Sequence, residues 1–198
     1  MFYRCSVVEL RQSTLHDGTR ERLIQLFEND FIESQEALGI RVVGPFRDLE
    51  DHNCFVWLRG FPDMDERSRM LSAFYDGPVW RAHRDAANAT MIDSDNVLLL
   101  HPTHERSANS GVANGLERGS FPRDALVVAN IHYVDSSAIE DFAQFLEKTM
   151  NPVLTNTGAH VIAAFETEAT RNTFSRLPVR EGETGFSLVG RVPRCHPF

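Results

Sequence analysis

Hydrophobic and polar residues alternate from Val7 to Leu15, and a period of two predicts a strand. Val8 and Leu10 form one face; Val7, Glu9, Arg11 and Ser13 form the other. After the turn residues His16-Asp17-Gly18-Thr19 the period changes. Leu23, Leu26 and Phe27 fall on one side of a helix over 20–30, and 31–38 adds a short helical piece. Ile40 to Phe46 reads as a second strand, 48–53 as a polar hairpin loop, and Cys54 to Phe61 as a third strand rich in aromatic and β-branched residues. Pro62-Asp63 opens a helix whose apolar positions end at Phe74 and Tyr75. Gly77-Pro78 breaks it, 79–90 is helical again, and 96–100 closes as a fourth strand. The order β-α-β-β-α-β is that of the ferredoxin-like unit.

The pattern then recurs. Gly39-Ile40-Arg41-Val42-Val43 aligns with Gly158-Ala159-His160-Val161-Ile162 at an offset of 158 − 39 = 119. The same offset carries Leu23, Leu26 and Phe27 onto Phe142, Phe145 and Leu146, and Val8 onto Val127. A strand to Val134, a helix over 137–150, and strands over 160–167 and 185–192 are expected, with no counterpart of the second helix or fourth strand. The fold class is therefore α+β, with tandem ferredoxin-like repeats of which the second is incomplete. Residues 1–100 form the first repeat, 101–124 a Gly-, Asn- and Pro-bearing linker, and 125–198 the second repeat.

Helices cover one face of a ferredoxin-like sheet, and the other face must meet something else. Val56 and Leu58 suit the helix side, which puts Phe55, Trp57, Arg59 and Phe61 on the open face with Glu9 and Arg11. A carboxylate, cations and aromatic walls on one face suggest a pocket for a small carbonyl or carboxylate compound. The competing reading is a structural ion pair of Glu9 with Arg11 or Arg59. Trp80, Arg84 and Asn88 share one side of the following helix, and His83 has the chemistry of an acid or base near neutral pH. The candidate pocket is thus Glu9, Arg11, Trp57, Arg59, Trp80, His83 and Arg84, with no catalytic residue assigned. His101 and His104 lack a third ligand type nearby apart from Glu105, so no metal and no cofactor is expected.

Composition narrows the classes. The formal net charge of −8 comes without a Lys/Arg run, which argues against a nucleic-acid surface. No apolar stretch spans a bilayer, and the N-terminus lacks a signal-peptide pattern. Three cysteines without close spacing point to reduced thiols and a cytoplasmic protein.

Val8-Glu9-Leu10-Arg11, Phe55-Val56-Trp57-Leu58-Arg59-Gly60-Phe61, and Phe74-Tyr75 with Pro78-Val79-Trp80 resemble bacterial NIPSNAP-family proteins. Asn172 to Glu183 resembles a stretch of the family's two-repeat members. The resemblance implies a dimeric α/β barrel-like arrangement, shared with small monooxygenases, haem-degrading enzymes and isomerases, and self-association as a homodimer. The family has no generally established catalytic residues. Ser13 departs from it where Tyr often follows Glu-Leu-Arg.

The tail departs further. Loss of one T after Phe186, with GC-rich codons, converts it to Phe-Arg-Trp-Leu-Ala-Gly-Phe-Pro-Asp, an echo of the first copy's third strand. A frameshift that truncates the second repeat is the expectation. Resequencing this stretch of the gene tests it, and a reading frame unable to encode that peptide overturns it. A shortened second repeat would leave apolar surface, favouring dimerisation or lowering stability.

Two function classes follow. One is a small-molecule or protein binding module. The other is a metal-free barrel enzyme, monooxygenase- or isomerase-like, acting on a small, largely apolar carbonyl or carboxylate compound. Haem binding through His132 is a third.

Overall fold

The computed structural model describes residues 5–103 and 126–192. Two compact units divide the chain: 1–100 with 169–181, and 101–168 with 182–198.

In the first unit, β1 (Val7–Leu15) is followed by one helical run made of α1 (Arg20–Leu26), a π-helical turn (Phe27–Phe31) and α2 (Ile32–Glu36). The Ile32 N–H bonds the carbonyl of Phe27, five residues back. This extra residue per turn turns both Phe27 and Phe31 into the core, with their rings edge-on at 6.4 Å. The two helical pieces expected from periodicity are therefore one helix with a widened turn. Gly39 ends the run at φ +91°, the left-handed conformation a glycine adopts without penalty after a helix.

β2 (Arg41–Arg47), β3 (Cys54–Phe61), α3 (Met64–Tyr75) and α4 (Pro78–Asn88) follow. Asp63 caps α3 by accepting the Glu66 N–H at 2.7 Å, and Pro78 begins α4 where its missing N–H costs nothing. Short β4 (Met91–Asp93) pairs with the end of β1, and β5 (Val97–Pro102) closes the sheet. The antiparallel order is β2-β3-β1-β5, as the ferredoxin-like pattern requires. Residues 169–181 pack within this same unit. Phe174 stacks on Tyr75 at 5.8 Å, Arg176 pairs with Asp76 at 2.8 Å, and the Arg180 N–H bonds the Val97 carbonyl.

The alternation of β1 and β3 holds, but the faces are exchanged. Val7, Phe55, Trp57 and Phe61 pack with Leu23, Phe27, Phe31, Leu71 and Phe74, so their face is the one beneath the helices. Glu9, Arg11 and Arg59 go with them, into the core rather than onto an open face. Val8, Leu10, Leu58, Leu98 and Leu100 occupy the opposite face and are also buried. Alternation sorts residues into two sets; it does not say which set the helices cover.

The second unit has β6 (Leu126–Tyr133), a 3-10 turn (Ser136–Ala138), α5 (Ile139–Phe145), a π-helical turn (Leu146–Met150), α6 (Asn151–Asn156), β7 (His160–Thr167) and β8 (Gly185–Val192). α5 and its π turn begin 119 residues after α1 and its π turn, and Gly158 repeats the positive φ of Gly39. β8 lies between β7 and β6, pairing antiparallel with both, as β3 lies between β2 and β1. Leu146, Phe186 and Leu188 form its small core with Phe142, Ala143 and Met150. The expected linker and the end of the tail lie largely outside the described residues.

Candidate functional site

Glu9 is the centre of a buried ionic cluster. The register of β1 and β3 places Arg59 directly opposite Glu9 and Trp57 opposite Arg11. Arg67 reaches the same carboxylate from the first turns of α3. Glu9 Oε2 accepts from Arg59 Nε at 2.7 Å and Arg11 Nη1 at 2.9 Å, and Oε1 accepts from Arg67 Nε at 2.7 Å. Glu9, Arg59 and Arg67 are wholly inaccessible and Arg11 is 4% exposed. Burial works to raise the Glu9 pKa, but the charges of Arg59, Arg11 and Arg67 outweigh it and hold the carboxyl well below the usual range. An arginine guanidinium is a cation at neutral pH.

One carboxylate against three guanidiniums leaves a formal excess of two positive charges. Arg59 lies over Trp57 at 5.1 Å, Phe61 at 5.7 Å and Tyr75 at 5.9 Å, and Arg11 over Trp57 at 5.8 Å. These aromatic faces offset part of the excess. Arg59 Nη1 also reaches Gln35 Oε1 at 3.3 Å, Arg11 Nη2 bonds the Ser94 carbonyl, and Arg67 Nη1 bonds Asn172 Oδ1 at 3.0 Å. Arg59 Nη2 and Arg67 Nη2, both buried, find no acceptor among the described residues.

A cavity of about 110 Å³ lies beside this cluster, within the first unit. Phe27, Phe31, Phe55, Trp57, Tyr75 and Trp80 form most of its wall. Arg11, Ser13 and Gln35 supply polar groups on its inner side. Exposed Asn88 and half-buried Met91, Ser94 and Leu177 line the outer side. The π-helical turn of Phe27 and Phe31 thus serves the cavity directly. Ser13 contributes a small hydroxyl where a bulkier side chain would fill space.

Of the residues singled out from the sequence, Arg11, Trp57 and Trp80 line the cavity, while Glu9 and Arg59 lie in the cluster behind Arg11. His83 and Arg84 are elsewhere. His83 Nε2 is 3.6 Å from Asp30 Oδ1, and Arg84 is exposed beside Asp85. Arg67, Gln35 and Tyr75 escaped sequence reasoning as site residues. Arg67 sits between Glu66, Ser68 and Arg69, a run that reads as a solvated helix face, and no local signal marks it. His132 is exposed on β6, with its ring 5.3 Å from Phe142. His101 lies 3.6 Å from Glu166, and His104 is outside the described residues. Among the described residues no cluster of three His, Cys, Asp or Glu could hold a metal, and no helix is long and apolar enough to cross a membrane.

Residues 8–105 match the family model described as NIPSNAP. Among solved structures, the chain is similar to an uncharacterized NIPSNAP-like domain protein from Burkholderia xenovorans, at 24% identity and TM-score 0.46, over 50% of this chain and 87% of that one. A NIPSNAP family protein from Agrobacterium tumefaciens str. C58 is 18% identical, with TM-score 0.46, over 49% of this chain and 92% of that one. A putative monooxygenase from Lactobacillus acidophilus NCFM is 12% identical, with TM-score 0.57, over 94% of this chain and 76% of that one. At that identity the likeness is one of fold. No curated protein matches the chain.

Proposed function

With residues 8–105 belonging to the NIPSNAP family, we propose that the first unit is a binding module for a small, largely apolar molecule held in the aromatic cavity beneath the helices. The observation that carries this reading is the cavity's lining: seven aromatic rings and a few polar groups around about 110 Å³. That approaches the ~150 Å³ of cavities that hold benzene, and falls short of the ~300 Å³ at which pockets for larger ligands begin. A one-ring compound is the right scale.

The lining supports binding over catalysis. It contains no Asp, Glu, His, Lys or Cys among the described residues. Glu9, the carboxylate bonded to Arg11, is a poor base because three guanidiniums stabilise its charge. The same reading keeps the protein in the cytoplasm, where the free thiols Cys5 and Cys54 stay reduced. It also keeps self-association, with Tyr133, Phe145 and Val153 as exposed apolar groups for a second copy to cover.

The chain's two tryptophans, Trp57 and Trp80, both line the cavity, so tryptophan emission reports on it. Titration with one-ring compounds, both neutral and charged, is expected to give a saturable change in emission with at least one of them. A flat response to benzyl alcohol, benzamide, toluene and benzoate alike would remove the binding reading.

A further inference from the structure

We infer that the ligand carries an anionic head group, a carboxylate or its equivalent, seated at Arg11 with its apolar body among the aromatic rings. This rests on the cavity being a binding site, and adds the charge of what binds there. The argument is one of charge balance. Three guanidiniums share one carboxylate, and among the described residues no second acidic side chain pairs with any of the three. The buried Nη2 groups of Arg59 and Arg67, behind Arg11, have no acceptor among the described residues. Buried cations are stable when paired, and unpaired positive charge is costly to keep out of water. Arg11 is the member that lines the cavity. Its Nη1 is given to Glu9 and its Nη2 to the Ser94 carbonyl, so its field reaches the cavity while its position is held from both sides. Tyr75 Oη and Gln35 relay the charge of Arg59 to the same space, at 3.5 Å and 3.3 Å from Arg59 Nη1. Ser13 adds a donor beside them. An anion here meets a guanidinium, two hydroxyls and an amide, with no carboxylate among the described lining residues to repel it.

The cluster also tolerates a specific test. Arg11→Met removes one of the excess charges while Glu9 keeps Arg59 and Arg67, so no buried carboxylate is left unpaired. Benzoate, benzamide and benzyl alcohol have the same ring and differ in head group. Tryptophan-emission titrations at pH 7 with each, on the wild-type chain and on Arg11→Met, separate the possibilities. The expected result is benzoate binding about tenfold or more tighter than either neutral compound, as a charge-assisted hydrogen bond provides. That preference for benzoate over benzyl alcohol should fall to about twofold in Arg11→Met. Benzoate and benzyl alcohol of equal affinity would overturn the anionic head while leaving the cavity as a binding site. Undiminished benzoate preference in Arg11→Met would overturn the assignment to Arg11. Binding by none of the three would overturn the anion, and a flat response to toluene as well would overturn the site. Thermal unfolding without ligand, run beside the titrations, identifies a variant that fails to fold. In that event Arg11→Lys, which keeps the charge and loses the fork, should retain a weakened benzoate preference; a fully neutral ranking there counts against the inference.

Discussion

Glu9→Gln is expected to destabilise the first unit by about 3–5 kcal/mol, a large share of the stability of an ordinary domain. The change is nearly isosteric, so it leaves packing intact and removes only charge. What remains is three buried guanidiniums, at 0%, 0% and 4% exposure, around a neutral amide. Gln also presents an NH₂ toward one arginine that had an acceptor, turning a bond into a donor–donor contact. Arg11→Met should cost far less, because Glu9 keeps two partners. The carboxylate also predicts a pH dependence with a definite sign. The folded Glu9 pKa lies below its ordinary value of 4.5. The unfolded chain therefore takes up the proton first as pH falls. The Glu9 contribution is fully present above about pH 4.5 and is lost progressively below it, toward the folded value. Urea denaturation of the wild-type chain between pH 6 and pH 3 should show this fall, and that component should be missing from Glu9→Gln wherever the variant still folds. A variant within about 1 kcal/mol of wild type at pH 7 would show that the cluster tolerates an uncompensated charge, against the role assigned to Glu9.

Trp57→Ala is expected to cost a further class of stability, about 3–5 kcal/mol, through packing. Trp57 is 7% exposed, sits edge-on to Phe27 at 4.6 Å, and lies under the guanidiniums of Arg11 and Arg59. Truncation enlarges the cavity it lines and removes an aromatic face from two cations that have an excess of charge to offset. Trp57→Phe keeps the face and should cost less than half as much, while admitting ligands larger than one ring. Denaturant melts followed by far-ultraviolet circular dichroism read the stability, and the emission of Trp80 reads the enlarged cavity. Equal stability of the Ala and Phe variants would contradict the cation–aromatic contribution.

The sequence carried the local structure well, for reasons visible in particular residues. Alternation through Val7–Leu15 and Cys54–Phe61 gave both strands, and their pairing put Glu9 opposite Arg59 as two strands of one face would allow. Leu23 and Phe27 gave the helix, and Gly77-Pro78 gave the break before α4. His83 and Arg84 stand in a dense polar run, which sequence alone cannot tell from a site; in the fold one sits beside Asp30 and the other is exposed. Arg67 and Gln35 were overlooked because each lies in a polar run typical of a solvated helix face, and only the packing of helix on sheet takes them to Glu9 and Arg59.

By itself, then, the chain determined its elements and their ferredoxin-like order, because these depend on periodicity and on neighbours a few residues apart. Tertiary structure decided which sheet face the helices cover, since Val8, Leu10 and Leu58 form as apolar a set as Val7, Trp57 and Phe61, and both are buried. It also decided that Glu9 is shared by three arginines drawn from two strands and a helix. Burial of charge depends on partners converging from distant parts of the chain, and that convergence produces both the excess positive charge and the aromatic cavity beside it.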